Sequence, residues 1–275
     1  MKPFGLILFL MIMLLTEMMK PPFSRAVNFD QRELAERFEI YNKAMDVSEG
    51  WQLMKDKKGI KVYQRKTSLT PINALKGVAV LEADLKTLVA FLMDVYKFPS
   101  WIDLCNSIEF LEPVNEDVDK VDQVQYYLYI INRPPWPVRP RDNVIYTIAT
   151  QDSKTLTLRI KSISMPDSIP HRKGFVRCPL LMVEWKLKPL DMEHTELAFE
   201  VIIDAGGWIP AGVINFYAVN TPYTTILNIR KQIPFDKRYR QKQIKWLKTP
   251  TANNLPHASY SNSSSLGKNR LKAGQ

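Results

Sequence analysis

This sequence predicts an α+β fold in which a curved antiparallel sheet wraps around one long C-terminal helix. Three observations carry that expectation. Strand-like runs come first and the long helical pattern last, whereas a doubly wound sheet would alternate them. The clearest strand begins at Thr195 and alternates strictly, with Leu197, Phe199, Val201 and Ile203 on one face and Glu196 and Glu200 on the other. It then meets Gly206-Gly207, a pair free to take backbone angles that side chains resist, followed by Pro210 where a first helical turn favours proline. Beyond it Ile209, Val213, Phe216, Tyr217, Tyr223 and Leu227 recur at helical spacing.

The elements before that strand follow in order. Residues 30–46 read as a charged helix, with Leu34, Phe38 and Tyr41 on one side and Glu33 and Arg37 at i, i+4. Strands are expected at Trp51–Lys55, Ile60–Lys66 and Ala74–Leu81, and then a helix capped by Asp84. Cys105–Val114 and Val121–Ile131 read as strands flanking an acidic turn, and Asn143–Gln151 and Thr155–Ser162 as a hairpin. Leu180–Lys188 alternates, placing Leu181, Val183, Trp185 and Leu187 inward and Glu184, Lys186 and Lys188 outward. Tyr126, Tyr127 and Tyr129 alternate too, so one set faces inward and the other outward.

Length and composition set the boundaries. A chain of 275 residues, 45% apolar and 11% aromatic, has material for a sizeable core, which excludes a wholly disordered protein. The pattern gives a leader over residues 1–26, one domain over 27–233 and a basic, largely disordered tail over 234–275. In the leader, Lys2 precedes an apolar run from Phe4 to Leu15, shorter than the ~20 residues a bilayer span needs. Ser24-Arg25-Ala26 offers small side chains for a signal peptidase, so cleavage before Val27 is expected, an uncleaved anchor being the alternative. The chain is then exported, to the periplasm if the host is bacterial.

The net charge of +10 belongs to the ends. Residues 27–230 hold 25 basic and 26 acidic residues, whereas 231–275 hold 10 basic residues and one acid, Asp236. That distribution gives a nucleic-acid groove on the domain little support. Two cysteines, Cys105 and Cys178, are too few for a disulfide framework and suit burial as free thiols. His171, His194 and His257 lie at no metal-ligand spacing, and no phosphate loop or nucleophile elbow is present. No metal, cofactor or catalytic residue is assigned.

Four pieces, in order, carry a resemblance to a known family. They are Gly59-Ile-Lys-Val-Tyr-Gln-Arg-Lys66, Phe98-Pro-Ser-Trp-Ile102, the loop Arg133-Pro-Pro-Trp-Pro-Val-Arg-Pro-Arg-Asp142, and the strand–Gly-Gly-Trp-Ile-Pro–helix ending. Together they resemble the StAR-related lipid-transfer (START) domain, the loop resembling its W-P-V-x-x-R-D pattern. The departure is Arg139-Pro140, where a small and acidic pair is more usual. The resemblance implies a helix-grip fold with an internal apolar cavity, a monomer that binds one lipid, and no enzyme activity. It places Trp136, Val138, Val183, Trp185, Phe199, Val201, Ile209, Val213, Phe216, Tyr217 and Asn220 against the lipid.

The same resemblance makes Pro134, Pro135, Trp136 and Pro137 a stiff gate at the cavity mouth; a rigid corner with a tryptophan plug is the alternative. Arg141-Asp142 reads either as an ion pair fixing the loop exit or as a headgroup contact. In the tail, Lys237, Arg238, Arg240, Lys242, Lys245, Trp246 and Lys248 interleave cations with an aromatic, which suits transient docking on an anionic membrane; a solvated extension is the alternative. The function expected is an exported carrier sequestering one lipid, a phospholipid. The alternatives are a helix-grip enzyme acting on a hydrophobic substrate and a ligand-gated sensor or scaffold.

Overall fold

The computed structural model describes residues 30–113, 123–233 and 237–251. The leader, the acidic turn after Pro113 and the chain beyond Thr251 therefore lie outside the described residues. The first helix, α1 (Gln31–Met45), is capped by Asp30, whose carboxylate accepts from the Arg32 N–H at 2.8 Å. Three strands follow, β1 (Gln52–Lys57), β2 (Ile60–Arg65) and β3 (Ala74–Leu81), then α2 (Leu85–Leu92), capped by Asp84 accepting from Thr87 N at 2.8 Å. A 3₁₀ turn and the short α3 (Phe98–Trp101) lead to β4 (Cys105–Pro113), β5 (Gln123–Asn132), β6 (Arg141–Gln151) and β7 (Leu158–Ser164). The two-residue β8 (Val176–Arg177), β9 (Leu180–Pro189) and β10 (Thr195–Asp204) complete the strands, and α4 (Ala211–Ala218), α5 (Asn220–Gln232) and α6 (Lys237–Gln241) follow.

The strands form one sheet in the order β1-β2-β3-β10-β9-β7-β6-β5-β4, every neighbour antiparallel, with β8 added parallel to β6. The last strand thus pairs with the third, and the sheet curls around the C-terminal helices. Sequence periodicity misses β8, because two residues carry no alternation to read.

Each face of the sheet has its own core. On the convex side α1 covers Tyr127, Tyr129, Val144, Tyr146, Ile163, Met182 and Ile202 with Leu34, Tyr41 and Met45. On the concave side Ile60, Ala79, Leu81, Leu128, Ile145, Leu158, Leu187 and Leu197 meet Ile226 and Ile229 of α5 and the buried face of α2. Tyr126 belongs to the concave set and Tyr127 and Tyr129 to the convex one, which settles the tyrosine alternation.

Glu184 and Glu200 point away from the helix, as the alternation predicts, yet they are not solvated. Helix α1 lies over them, and both are buried. They are opposite one another on β9 and β10, a repulsive placement that neighbouring cations offset. Arg159 reaches Glu184 at 2.7 Å, while Lys76 and Arg65 reach Glu200 at 3.2 and 3.4 Å. Burial still raises the Glu200 pKa above its ordinary value, outweighing those two cations. A polar residue on the outer face is exposed only where nothing covers that face, and a single strand's pattern does not reveal the cover.

The expected single C-terminal helix is two helices, broken at Val219. Pro222 explains the break: it has no N–H to give the carbonyl of Ala218, and its ring crowds that same carbonyl. Past the expected boundary at 233, residues 237–251 return to the domain, with Tyr239 and Leu247 buried and Ile244 and Trp246 packed on the concave core. The aromatic and aliphatic side chains of this segment are spent on packing, because α2 leaves an apolar face that needs covering. Arg238, Arg240, Lys242, Lys245 and Lys248 stay exposed; the Lys237 side chain lies outside the described set.

Candidate functional site

Where the sheet meets the C-terminal helices, the packed side chains are sealed at one end and more exposed at the other. Along the β9–β10 register, Leu187 and Leu197 are opposite each other and 0% exposed. The next inward pair, Trp185 and Phe199, is 8% exposed, and the pairs Val183–Val201 and Leu181–Ile203 beyond it are half-buried. The helical wall repeats the trend: Ile229 and Ile226 are sealed, Tyr223 and Val219 are half-buried, and Phe216 is 75% exposed. Apolar side chains thus gain access to solvent, on both walls, toward the β10–α4 loop.

Aromatic rings make the floor. Trp185 stacks on Phe199 with centroids 4.2 Å apart, and Trp101 meets Trp185 edge-on at 5.9 Å. The resemblance's Phe98-Pro-Ser-Trp segment therefore supplies a floor tile, with Phe98 against Trp101 at 4.9 Å. Helix α5 is pinned there on both sides. Gln232 donates to the Ser100 carbonyl at 2.9 Å, and Arg230 donates to the carbonyls of Lys58 and Val80 at 2.5 and 3.2 Å. Gly77 of β3 permits the closest approach, since a Cβ there would lie 2.9 Å from Pro222 Cβ and 2.7 Å from Ile226 Cδ1.

Two loops border the open end. Gly206 and Gly207 both take positive φ, 64° and 69°, which turns the chain out of β10 and over β8. A Cβ at Gly206 would press within 3.2 Å of Arg177, Pro179 and Val176. Beside this turn the loop before β6 leads through Pro140, whose carbonyl accepts from Val176 N at 2.9 Å. Trp208 on one loop and Trp136 on the other are each 92% exposed. Nothing in the sequence distinguishes Trp208 from an ordinary core tryptophan; only the two preceding positive-φ glycines turn it outward.

Of the residues expected against a lipid, Val183, Trp185, Phe199 and Val201 lie together on the concave face, with Ile209 half-buried beside the opening. Val138 is half-buried in its loop, whereas Trp136 and Phe216 stand outside. The side chains of Val213 and Tyr217 lie outside the described set. Asn220 is exposed and accepts from Lys55 Nζ at 2.5 Å, so it caps the junction of β1 and α5 from outside. Pro134 is half-buried and Pro135 and Pro137 are exposed, so the expected gate segment is a surface loop next to the opening.

Arg141 and Asp142 do not pair with each other. As consecutive residues of β6 they point to opposite faces, which a loop reading of this segment conceals. Asp142 faces the convex side and accepts two bonds from Arg177, at 3.1 and 3.0 Å, and a third from the Tyr129 hydroxyl at 2.8 Å. Burial, with the Asp142 carboxylate beside it, pushes the Tyr129 pKa up to about 12. Arg177 also donates to the carbonyls of Pro166, Ile169 and Pro170, tying down the loop between β7 and β8. Arg141 shares the concave face with Asn143 and Ile145. Burial holds its pKa below the usual guanidinium value.

Further concave-face polar groups escaped the sequence reading. Thr147 and Ser162, opposite on β6 and β7, share a hydrogen bond of 2.8 Å, and Ser164 donates to the Pro179 carbonyl and accepts from Leu181 N at 3.0 Å. Cys105 and Cys178 are free and buried, and desolvation raises their thiols to about 11 and about 12.

Known proteins share this architecture. The START domain family profile matches residues 31–222. An uncharacterised protein of Pseudomonas aeruginosa is 31% identical over 184 residues, covering 67% of this chain and 87% of its own length. Rat phosphatidylcholine transfer protein is 25% identical over 200 residues, covering 71% and 89%. The crystal structure of a STAR-related lipid transfer protein fragment from Xanthomonas axonopodis superposes with a TM-score of 0.60 at 30% identity, covering 68% of this chain and 99% of that one. With the sheet, the gripped helix and the profile in agreement, the chain belongs to the START domain family.

Proposed function

We propose that this protein carries one phospholipid between sheet and helix, its acyl chains on the Trp185–Phe199 floor and its headgroup toward the β10–α4 loop. The observation that carries the reading is the matched gradient of exposure on both walls. Each methylene kept from water there is worth about 0.8 kcal/mol, which offsets the loss of the bilayer's own shelter, so a lipid can be held outside a membrane without any covalent step. Rat phosphatidylcholine transfer protein, a relative over 200 residues, is consistent with a phospholipid ligand. The protein then acts as a monomeric carrier and not as an enzyme: Glu184 and Glu200 face away from this space and are engaged with cations.

Docking on a membrane brings Trp136 and Trp208 to the interface, where tryptophan's apolar body and polar edge are both accommodated. The loop over residues 134–137 moves aside as the gate. The exposed cations of residues 238–248 add attraction to an anionic surface. The leader sends the protein out of the cytoplasm. Native mass spectrometry of the gently purified chain, with extraction of whatever dissociates, tests the carrier reading. One lipid per protein supports it; a protein that is free of lipid and moves no labelled phospholipid between vesicles refutes it.

A further inference from the structure

Beside the open end lies a cation that the fold leaves without an acid. Arg141 is 6% exposed, and among the described residues no carboxylate oxygen comes within 4.0 Å of its guanidinium. Its Nη1 donates to the carbonyl of Arg139, but its buried Nε has no acceptor. Two residues along the same strand face, roughly 7 Å away by strand geometry, Asn143 is 1% exposed; neither of its amide atoms has a nitrogen or oxygen partner, and the Cys178 thiol lies beside it. The nearby acids are committed elsewhere. Asp142 points to the other face and holds Arg177, and Asp204 accepts from the Gly206 N–H at 2.9 Å.

A buried guanidinium without a counter-charge destabilises the fold, and a buried amide without a full set of partners adds to that. Such groups are the first place to look for what a site is built to receive. The guanidinium is a fork of donors matched to phosphate or carboxylate oxygens, and an amide nitrogen two residues on supplies one more donor. The position fits as well. A Cβ on Gly207 would sit 4.0 Å from Arg141 Nη2, so the guanidinium lies under the β10–α4 turn where the half-buried apolar walls end. Arg139 adds a second positive charge at the rim.

We propose that Arg141, with Asn143, binds the phosphate of the carried lipid, so that the ligand is selected for an anionic oxygen cluster at its head. This inference rests on the carrier reading and adds to it a site and a ligand class. Occupied, the site satisfies Arg141 Nε and the Asn143 amide nitrogen at once and stabilises the protein. Unoccupied, the same groups destabilise it, which couples loading to stability.

The test uses the full chain, delipidated, with short-chain phosphatidylglycerol and the diacylglycerol of the same acyl length as probes, and inorganic phosphate as a third. The expected result is at least a tenfold preference for phosphatidylglycerol over diacylglycerol. That preference falls to near unity in Arg141→Met and survives in part in Arg141→Lys. Thermal melting of the lipid-free proteins separates this role from a structural one. Arg141→Met raises Tm if the charge is an unmet burden, and lowers it if the arginine only braces its loop. An undiminished preference in Arg141→Met, or a lowered Tm of the lipid-free variant, overturns the proposal. Inorganic phosphate competing as strongly as the lipid assigns the site to a soluble anion and overturns the headgroup role. Binding of neither lipid by the unmodified protein refutes the carrier reading itself, whereas equal binding of both refutes only the anion site.

Discussion

Replacing Gly77 with alanine puts a methyl carbon 2.7 Å from Ile226 Cδ1 and 2.9 Å from Pro222 Cβ. Carbon atoms in contact prefer about 3.5–4.0 Å, so roughly 1 Å must be found. The two obstacles differ in stiffness. Ile226 Cδ1 ends a side chain that can rotate, but Pro222 Cβ belongs to a ring fixed to the backbone of α5. The helix must therefore lift from β3, against its ties to Ser100, Lys58 and Val80. Overpacking of this kind costs about 1–3 kcal/mol. At a urea slope of ~2 kcal/mol/M, that lowers the unfolding midpoint by ~0.5–1.5 M with the slope unchanged. Ile226→Val removes the rotatable obstacle and leaves the ring, so combining it with Gly77→Ala restores only part of the loss. An unchanged midpoint for Gly77→Ala would show that the helix is not pressed on the sheet here, and complete rescue by Ile226→Val would show that Pro222 is no constraint.

Three further outcomes are expected. Asp142→Asn leaves the Arg177 charge without its counterion and costs about 3–5 kcal/mol of stability, measured by denaturant titration; Asp142→Asn with Arg177→Met loses less than Asp142→Asn alone. Alkylation of the folded protein at pH 8 is slowed ~1000-fold at Cys178 and ~100-fold at Cys105 relative to a thiol of pKa 9.0, because each pKa unit removes a factor of ten of thiolate. Raising the pH speeds both, and denaturant abolishes the protection; rapid labelling at pH 8 in the native state would contradict the burial. Trp136→Ala and Trp208→Ala, each at a fully solvated side chain, shift stability by no more than ~0.5 kcal/mol, while together they slow lipid transfer between vesicles severalfold. Transfer at the unmodified rate would remove the tryptophans from the docking face.

Much of the fold is legible in this sequence because its strands are long and amphipathic. Leu180–Pro189 and Thr195–Asp204 show which side chains face the helix, and the register then brings those side chains into pairs. What stays hidden is whatever depends on a partner distant in sequence. Glu200 looks solvent-facing until α1, which ends 155 positions earlier at Met45, is laid over it. Residues after Lys237 look like a membrane-binding tail until α2 presents a face for Tyr239 and Leu247 to cover. The Arg141-Asp142 dipeptide looks like a pair in a loop and is the start of a strand, which separates the two charges by the thickness of the sheet. Asn143 was within reach of sequence reasoning, since extending that strand by two residues puts it on the arginine's face.

The C-terminal helices explain why one end of the grip is tight and the other open. Pro222 does two things at once: its ring seats α5 against Gly77, and its missing N–H releases α4 from the same helical axis. Helix α5 is then held through Gln232, Arg230 and the sealed Ile226 and Ile229, whereas the described polar tie of α4 is Asn215, which accepts from Asn73 N at 2.8 Å and donates to the Pro71 carbonyl at 3.3 Å. Both of those partners lie in the segment before β3 and not in the sheet itself. Asn215→Ala therefore cuts the α4 attachment without touching the floor. Its expected effect is faster amide exchange confined to α4 and the β10–α4 turn, with exchange in α5 and β3 unchanged, because the two helices are no longer one cooperative rod. Exchange rising equally in α4 and α5 would show that the break at Val219 does not uncouple them, and that the whole helical segment opens as a unit.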